Sequence, residues 1–479
     1  MYYIGIDLGT SAVKLLLLGD EGICGVTSKV YEVRYGEEGR AEQDPKDWYE
    51  KTVEGIKELT ENIDKTKVAA IGFGGQMHGL VALDEKDNVI MPAILWNDTR
   101  SFKESDYLNN VVGKKRLTEL TGNISFPGFT ASKIMWLKNN EPEKFNRISK
   151  IMLPKDYMVY RFTGKHCTDV SDASGMLLFD VEKRKWSEEM LKITGVNEDW
   201  LPKVYESYEC VGYINEETEK ILGLKNVKVA AGAGDNAAAA IGTGTVNDGD
   251  CNISLGTSGT IFAVTSKYKA DYENAIHNFC NATGEYHYMA CMLCGASCNK
   301  WWLEDIIGTD DYDKEYEDCD GISDVFFLPY LMGERSPLND TKIRGMFYGM
   351  SMSTTRKDMS AAVLEGVAFA LRQNLDIIKS MGVKINKSKI CGGGTKNRYW
   401  LNIIANVLNI ELEVPENQEG ASYGGALLAL RCCDEEKYNK EISKLKIKEV
   451  IKPQIEKVNK YNEKYCKFLK FYPLIKQIY

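Results

Sequence analysis

At 479 residues, 44% of them hydrophobic and 27% charged, the chain is too long for one hydrophobic core and suits two soluble globular domains of about 200–250 residues each. The formal net charge is −9 and no long basic run occurs, which argues against nucleic acid and anionic membrane surfaces as partners. No apolar run is long enough to span a bilayer, the opening MYYIGIDLG reads as a strand and not a signal peptide, and thirteen scattered cysteines fit a reducing cytoplasm better than a disulfide framework.

Strands and helices alternate along the chain, which predicts an α/β fold. Short β segments are predicted at 3–8, 12–18 and 23–33, the first two joined by Leu8-Gly9-Thr10-Ser11. Asp44 can cap a helix that starts at Pro45. A β-prone run at 68–73 ends in Gly74-Gly75. Another enters Gly232 and Gly234, and an Ala-rich helix leaves with Asp235 at its start. A strand at 251–255 then runs into Leu255-Gly256-Thr257-Ser258, a second copy of the first tetrapeptide. A long apolar-faced helix is predicted from about Lys357 to Met381, stopping at Gly382. A short strand enters Gly392-Gly393-Gly394, and a helix leaves from about Asn397. The last 45 residues are rich in Lys and Glu with spaced apolar residues, and are expected to be helical and peripheral. The domain boundary is expected at 242–246, dividing 1–245 from 246–479.

The repeated turn carries chemistry. Glycine and small hydroxyl residues let backbone N–H groups approach an anion closely. In the first copy Thr10 and Ser11 add hydroxyl donors, Asp7 precedes the turn and Lys14 follows it. A carboxylate beside a phosphate site is repulsive unless a cation lies between them, so Asp7 suggests Mg²⁺. The second copy has Ser254 in place of Asp7, leaving Gly256 and Thr257 for phosphate alone. Either copy by itself could be no more than a good turn. Two copies flanked alike, one per half, point to an internal duplication in which each half grips one end of a polyphosphate. No Gly-x-x-x-x-Gly-Lys-Ser/Thr stretch occurs, so a P-loop is excluded.

This pattern resembles the sugar-kinase, Hsp70 and actin superfamily, whose two ribonuclease-H-like domains close on ATP across a cleft. Gly128-x-Thr130-x-x-Lys133-Ile134-x-Trp136-Leu137-x-Asn139-Asn140 resembles the first signature of the FGGY carbohydrate kinases. Gly345-x-Phe347-x-Gly349-Met350, followed by Asp358-Met359-x-x-Ala362-Val363-Leu364-Glu365, resembles the second. Within that family, GQMHGLVALD (75–84), ILWNDTR (94–100) and TGNISFPGFTASKIMWL (121–137) are similar to bacterial xylulokinases. By this resemblance Met77, His78, Trp96 and Asn97 would meet the sugar. A neutral imidazole suits a polyol hydroxyl, and a buried structural histidine is the alternative.

The resemblance makes Asp235 the catalytic base and a sugar ligand, with Asn236 beside it. A sugar hydroxyl is a weak acid, and a carboxylate next to it orients the nucleophile and takes its proton. Asp is also a good helix cap, which is the structural alternative. Gly232-x-Gly234-x-x-Ala237 imitates a dinucleotide fingerprint, but the next strand runs into the second hairpin instead of closing a βαβ unit. The adenosine end is expected at Gly393, Gly394 and Asn397, with Gly256 and Thr257 on the phosphates from the same side. Cys291, Cys294 and Cys298 hint at metal but read better as small apolar filler. Arg335, in GERSPLND (333–340), stands open between a structural ion pair and a ligand contact.

The resulting expectation is a cytoplasmic, ATP- and Mg²⁺-dependent kinase that phosphorylates D-xylulose at O5. A homodimer is the assembly the resemblance implies. The alternatives are a related kinase for gluconate or another ketose, and a non-catalytic sugar or nucleotide sensor on the same fold. Both Asp7 and Asp235 being present weighs against the sensor.

Overall fold

A computed structural model describes residues 1–478 apart from 318, 320 and 418. In the first half, β1 (Tyr2–Leu8), β2 (Ala12–Gly19) and β3 (Gly22–Val30) form an antiparallel meander around the first turn. β4 (Val68–Gly75) lies parallel to β1 on its other side. β5 (Cys210–Tyr213) and β6 (Lys228–Ala230) extend the sheet to the order β5-β6-β4-β1-β2-β3, and the short β7 (Ala233–Gly234) also pairs with β4. The second half has β8 (Cys251–Leu255), β9 (Gly259–Thr265), β10 (His277–Cys280), β11 (Tyr286–Met292), β12 (Lys387–Cys391), β13 (Glu411–Pro415) and β14 (Ile447–Ile451). Their order is β10-β11-β9-β8-β12-β13-β14.

The two sheets correspond strand for strand. β3-β2-β1-β4-β6-β5 and β11-β9-β8-β12-β13-β14 share one sequence of senses: two antiparallel pairings, two parallel, one antiparallel. Each copy of the tetrapeptide is therefore the first hairpin of a ribonuclease-H-like half. The apolar residues of β1, Ile4, Ile6 and Leu8, are buried in one core, and those of β8, Ile253 and Leu255, in the other.

The helices follow their end signals. α1 (Pro45–Leu59) is capped by the Asp44 carboxylate, which accepts from the Lys46 N–H at 3.0 Å. α2 (Thr130–Asn140) carries the first signature, and α3 (Asp235–Gly242) opens directly from β7. α4 (Arg356–Ser380) starts with a reciprocal cap between Thr355 and Asp358. Asn397 caps α5 (Arg398–Leu408). α6 (Gly420–Cys433) crosses from the second half onto the first sheet, and α7 (Ile455–Phe468) follows β14.

Small residues set the distance between the halves. A Cβ at Gly424 of α6 would lie 1.8 Å from the Ala238 carbonyl oxygen of α3, and one at Gly5 of β1 would lie 1.9 Å from that of Ser422. No side chain can relieve contacts made with backbone. Gly424→Ala is expected to cost about 1–3 kcal/mol through overpacking, read as a lower denaturation midpoint. An unchanged midpoint would mean that the two helices can slide apart freely.

Two expectations are corrected. The third strand ends at Val30, not at 33. The last 45 residues are neither all helical nor peripheral. β14 pairs antiparallel with β13 and completes the second sheet. α7 buries Val458, Tyr461, Tyr465 and Phe468. Their three- and four-residue spacing is a narrow apolar face within a Lys/Glu-rich stretch, and average polarity hid it.

Candidate active site

Parallel strands β1, β4 and β7 end in one row, Leu8 opposite Gly75 and Gly75 opposite Gly234. The residues leaving that row are Gly9-Thr10, Gln76-Met77-His78 and Asp235. Segments far apart in sequence thus meet at the carboxyl edge of the sheet, where open α/β folds receive ligands. In the second sheet Ser254 of β8 pairs with Cys391 of β12. Gly256-Thr257 and Gly392-Gly393-Gly394 leave from the equivalent edge.

The first hairpin is held from behind. The Gly9 carbonyl accepts from the Tyr31 hydroxyl at 2.5 Å and from the Gln76 amide at 3.4 Å. The Thr10 carbonyl accepts from the Gln43 amide at 2.6 Å. Gln43 in turn accepts from the indole of the buried Trp48 and from Gln76. The Thr10 hydroxyl accepts from the Trp96 indole at 2.9 Å, so its own proton remains free to donate. Ser11 is exposed. Lys14, the cross-strand neighbour of Asp7, is not an unpaired point charge: its ammonium lies 2.5 Å from the Glu419 carboxylate.

Asp7 and Asp235 are both buried, and the charge of Asp235 reaches Asp7. Asp7 is pushed up to about 7, first by lost hydration and then by the charge of Asp235, with Lys14 opposing. Lost hydration pushes Asp235 up to about 6, against hydrogen bonds from Asn236. The Asn236 backbone N–H and side-chain amide both donate to Oδ1 of Asp235, at 2.7 and 2.8 Å, and so orient the carboxylate.

His78 sits at φ +66°, a left-handed backbone that few non-glycine residues adopt. Two residues of the first signature hold it there: Lys133 and Thr130 of α2 both donate to its carbonyl, at 2.8 and 3.1 Å. Its ring stacks on Phe129, centroids 4.5 Å apart. Nδ1 lies 2.8 Å from the Gly175 carbonyl, which can only accept, so Nδ1 carries the proton and Nε2 is an acceptor. Burial pulls the imidazole down to about 3, despite the Gly175 bond, so it is neutral. Met77 is buried beneath Gly234, where a Cβ would approach its side chain to 2.8 Å. Trp96 is 42% exposed, and Asn97 Oδ1 is buried with no hydrogen-bond partner among the described residues. The adjoining Asp98 and Arg100 form a buried ion pair at 2.6 Å, extended to Glu42, which locks this loop.

Edge strand β10 of the second half closes over this region, a contact that no motif announced. Phe279 lies 6.2 Å from the His78 ring, and His277 packs edge-on against Phe126 at 5.2 Å. Asn123 donates to the Asn278 carbonyl and accepts from its N–H. Arg335 lies over the Phe126 ring at 4.9 Å and forms no ion pair among the described residues.

On the second half, Gly256, Thr257, Gly393, Gly394 and Asn397 line one cavity of about 750 Å³. The first-half residues Thr10, Ser11 and Lys14 are not part of it. Ser297, Lys300, Tyr312 and Trp400 are among its other walls and were not foreseen. The Thr257 carbonyl accepts from the Gly295 N–H and the Ser297 hydroxyl, at 2.9 and 2.7 Å. Cys294 and Cys298 are buried in the core behind this passage. The only clue to these walls was the Gly-Ala-Ser run between strand and helix.

The N-terminal domain model of the FGGY family of carbohydrate kinases matches residues 2–242, and its C-terminal domain model matches 251–433. The xylulose kinase of Escherichia coli (strain K12) is 38% identical over 441 residues, covering 91% of each chain. A crystal structure of a xyloylose kinase from Brucella ovis superposes with a TM-score of 0.96 at 38% identity over 100% of both chains. That of gluconate kinase from Lactobacillus acidophilus gives 0.93 at 26% identity, over 99% of this chain and 98% of the other. With both domain models matched in order and each half built around its own hairpin, the chain belongs to the FGGY family of carbohydrate kinases.

Proposed function

We propose that this kinase transfers the γ-phosphoryl group of ATP to O5 of D-xylulose, giving D-xylulose 5-phosphate and ADP. The substrate reading is supported by the relatives named above as xylulose kinases, at 38% identity over nearly the whole chain. The observation that carries the mechanism is the position of Asp235, at the end of the strand-end row beside the β4 turn that leads to His78, with the hairpin after Asp7 on the other side of β4.

In this reading residues 1–245 present the acceptor and 246–479 hold the nucleotide. The Nε2 of His78 accepts from a sugar hydroxyl, and the orphan Oδ1 of Asn97 takes a second. Met77 and Trp96 pack against the carbon chain. Asn236 orients the Asp235 carboxylate, which takes the proton of O5 as the new bond to phosphorus forms. Gly393, Gly394 and Asn397 receive the adenosine, Gly256 and Thr257 the phosphates beside it. Thr10 and Ser11 donate to the terminal phosphate. Two buried carboxylates within electrostatic reach of each other, each costly to ionise, fit a hard divalent cation, and Asp7 would hold it. Mg²⁺ bound there supplies neutralisation of phosphate charge. Among the described residues no helix is long and apolar enough to cross a membrane, and a cytoplasmic setting fits the free cysteines.

Water is the competing nucleophile at ATP, and closing the cleft over a sugar excludes it. ADP release with Mg·ATP is therefore expected to be slow without sugar and strongly stimulated by D-xylulose. Gluconate, ribulose and glycerol are expected to stimulate it weakly. Stimulation by gluconate alone would overturn the substrate but keep the kinase. Equal rates with and without every sugar would overturn the catalytic reading.

A further inference from the structure

Behind β7 lies a cluster of ionisable side chains with no solvent exposure: Lys155, Asp156, Asp169 and Asp172. The Lys155 ammonium is 2.7 Å from Asp156, 3.2 Å from Asp169 and 3.9 Å from Asp172. Burying so many charges is expensive, and an apolar cluster of equal volume would serve stability as well or better. What distinguishes this cluster is its connection to the loop that delivers Asp235. Lys155 Nζ donates to the Ala231 carbonyl at 3.1 Å. The Gly234 N–H donates to the Ser171 hydroxyl at 3.1 Å, and that hydroxyl donates to Asp169 Oδ2 at 2.5 Å. The Gly232 N–H donates to the Ser207 carbonyl at 3.0 Å, while the Ser207 hydroxyl donates to the same Asp169 oxygen at 2.6 Å. Both ends and the middle of the loop 231–234 are thus tied to one ion cluster, and the next residue is Asp235.

We propose that Lys155, Asp169 and Ser171 form a positioning clamp that holds the Asp235 carboxylate in its reactive placement. The proposal rests on Asp235 being the base. Ser171 is the most direct test, since its hydroxyl makes the sole side-chain hydrogen bond to Gly234 among the described residues and touches neither substrate in the proposed site. Displacing a catalytic group by about 1 Å costs on the order of 10²-fold in rate. Ser171→Ala is expected to lower kcat about 10- to 100-fold, with the KM for sugar and for ATP within about twofold of wild type. Ser171→Thr, which restores the hydroxyl, is expected to recover most of kcat. Should the alanine variant fold poorly, Ser171→Cys keeps the volume, weakens both bonds and is expected to give an intermediate kcat. A purely structural role would lower the melting temperature without this split between kcat and KM.

The same assays run on Asp235→Asn separate the two claims. An inactive Asp235→Asn beside a Ser171→Ala, or Ser171→Cys, of wild-type kcat would overturn the clamp and leave the base standing. An Asp235→Asn of wild-type kcat would remove the base, and the clamp with it.

Discussion

Asp235→Asn is expected to lower kcat by about 10²–10⁴-fold, the range that general-base catalysis contributes, while leaving the KM for ATP nearly unchanged. The amide keeps the volume of the carboxylate and can still meet a sugar hydroxyl, but it cannot take a proton. The pH dependence gives a second readout. Only the ionised carboxylate is active, and burial pushes Asp235 up to about 6. Activity of the wild-type chain should therefore be level above that pH and fall as pH drops through it. The residual activity of the variant should lack this limb. A variant that retains the limb would assign it to another group, and one that retains full kcat would end the general-base assignment. Phosphoryl transfer leaves little covalent chemistry to the protein, so positioning and proton acceptance are where one residue can matter this much.

Lys464→Met is expected to destabilise the fold by about 3–5 kcal/mol, the cost of leaving a buried charge without its partner. Lys464 is 8% exposed and Glu365 is 1% exposed. Their charged groups are 2.5 Å apart, and Lys464 also donates to the carbonyls of Ser323 and Val325. Burial already pushes the Glu365 carboxyl up, and the Lys464 charge opposes that shift. Without the lysine, Glu365 must take up a proton or stay ionised in the core. Adding Glu365→Leu to Lys464→Met is expected to recover much of the loss, because neither charge then remains buried. Denaturation of wild type, both single variants and the double variant measures the coupling. Losses that simply add would show the pair to be independent, and α7 to be held by its apolar contacts and its other hydrogen bonds. Glu365 belongs to the second family signature, so this bond ties a signature residue to the segment that looked peripheral.

The candidate site was legible where local structure demands particular residue types. Tight turns between strands favour Gly-Thr-Ser, and both hairpins occupy strand ends as expected. Asp235 stands at the start of a helix leaving a strand, and the glycines after β12 line a cavity with Gly256 and Thr257. The supporting residues were not legible. Gln43, Gln76 and Trp48 hold the first hairpin through hydrogen bonds between segments far apart in the chain, and nothing local marks a glutamine for that task. Lys133 was read as part of a signature, whereas its bond to the His78 carbonyl shows what the signature does physically. Lys14 shows the converse case: its spacing from Asp7 was right, but Glu419, some 400 residues away in sequence, pairs with it.

The sequence by itself determined the duplication, the α/β class, the two glycine turns at strand ends and the placement of Asp235 at a helix start, because these rest on short-range constraints. They follow from backbone freedom at glycine, the period of two in strands, helix caps and the acid–base character of single side chains. Tertiary structure alone decided that Asp7 and Asp235 come within electrostatic reach of each other, and that β10 of the second half forms a wall over His78. It also decided that Lys155 ties the Asp235 loop to a buried ion cluster, and that the last 45 residues complete a sheet and a core. Each of these depends on which segments meet across the fold. A side chain's charge, burial and hydrogen-bond partner are set by its neighbours in space, and residue type restricts them only weakly.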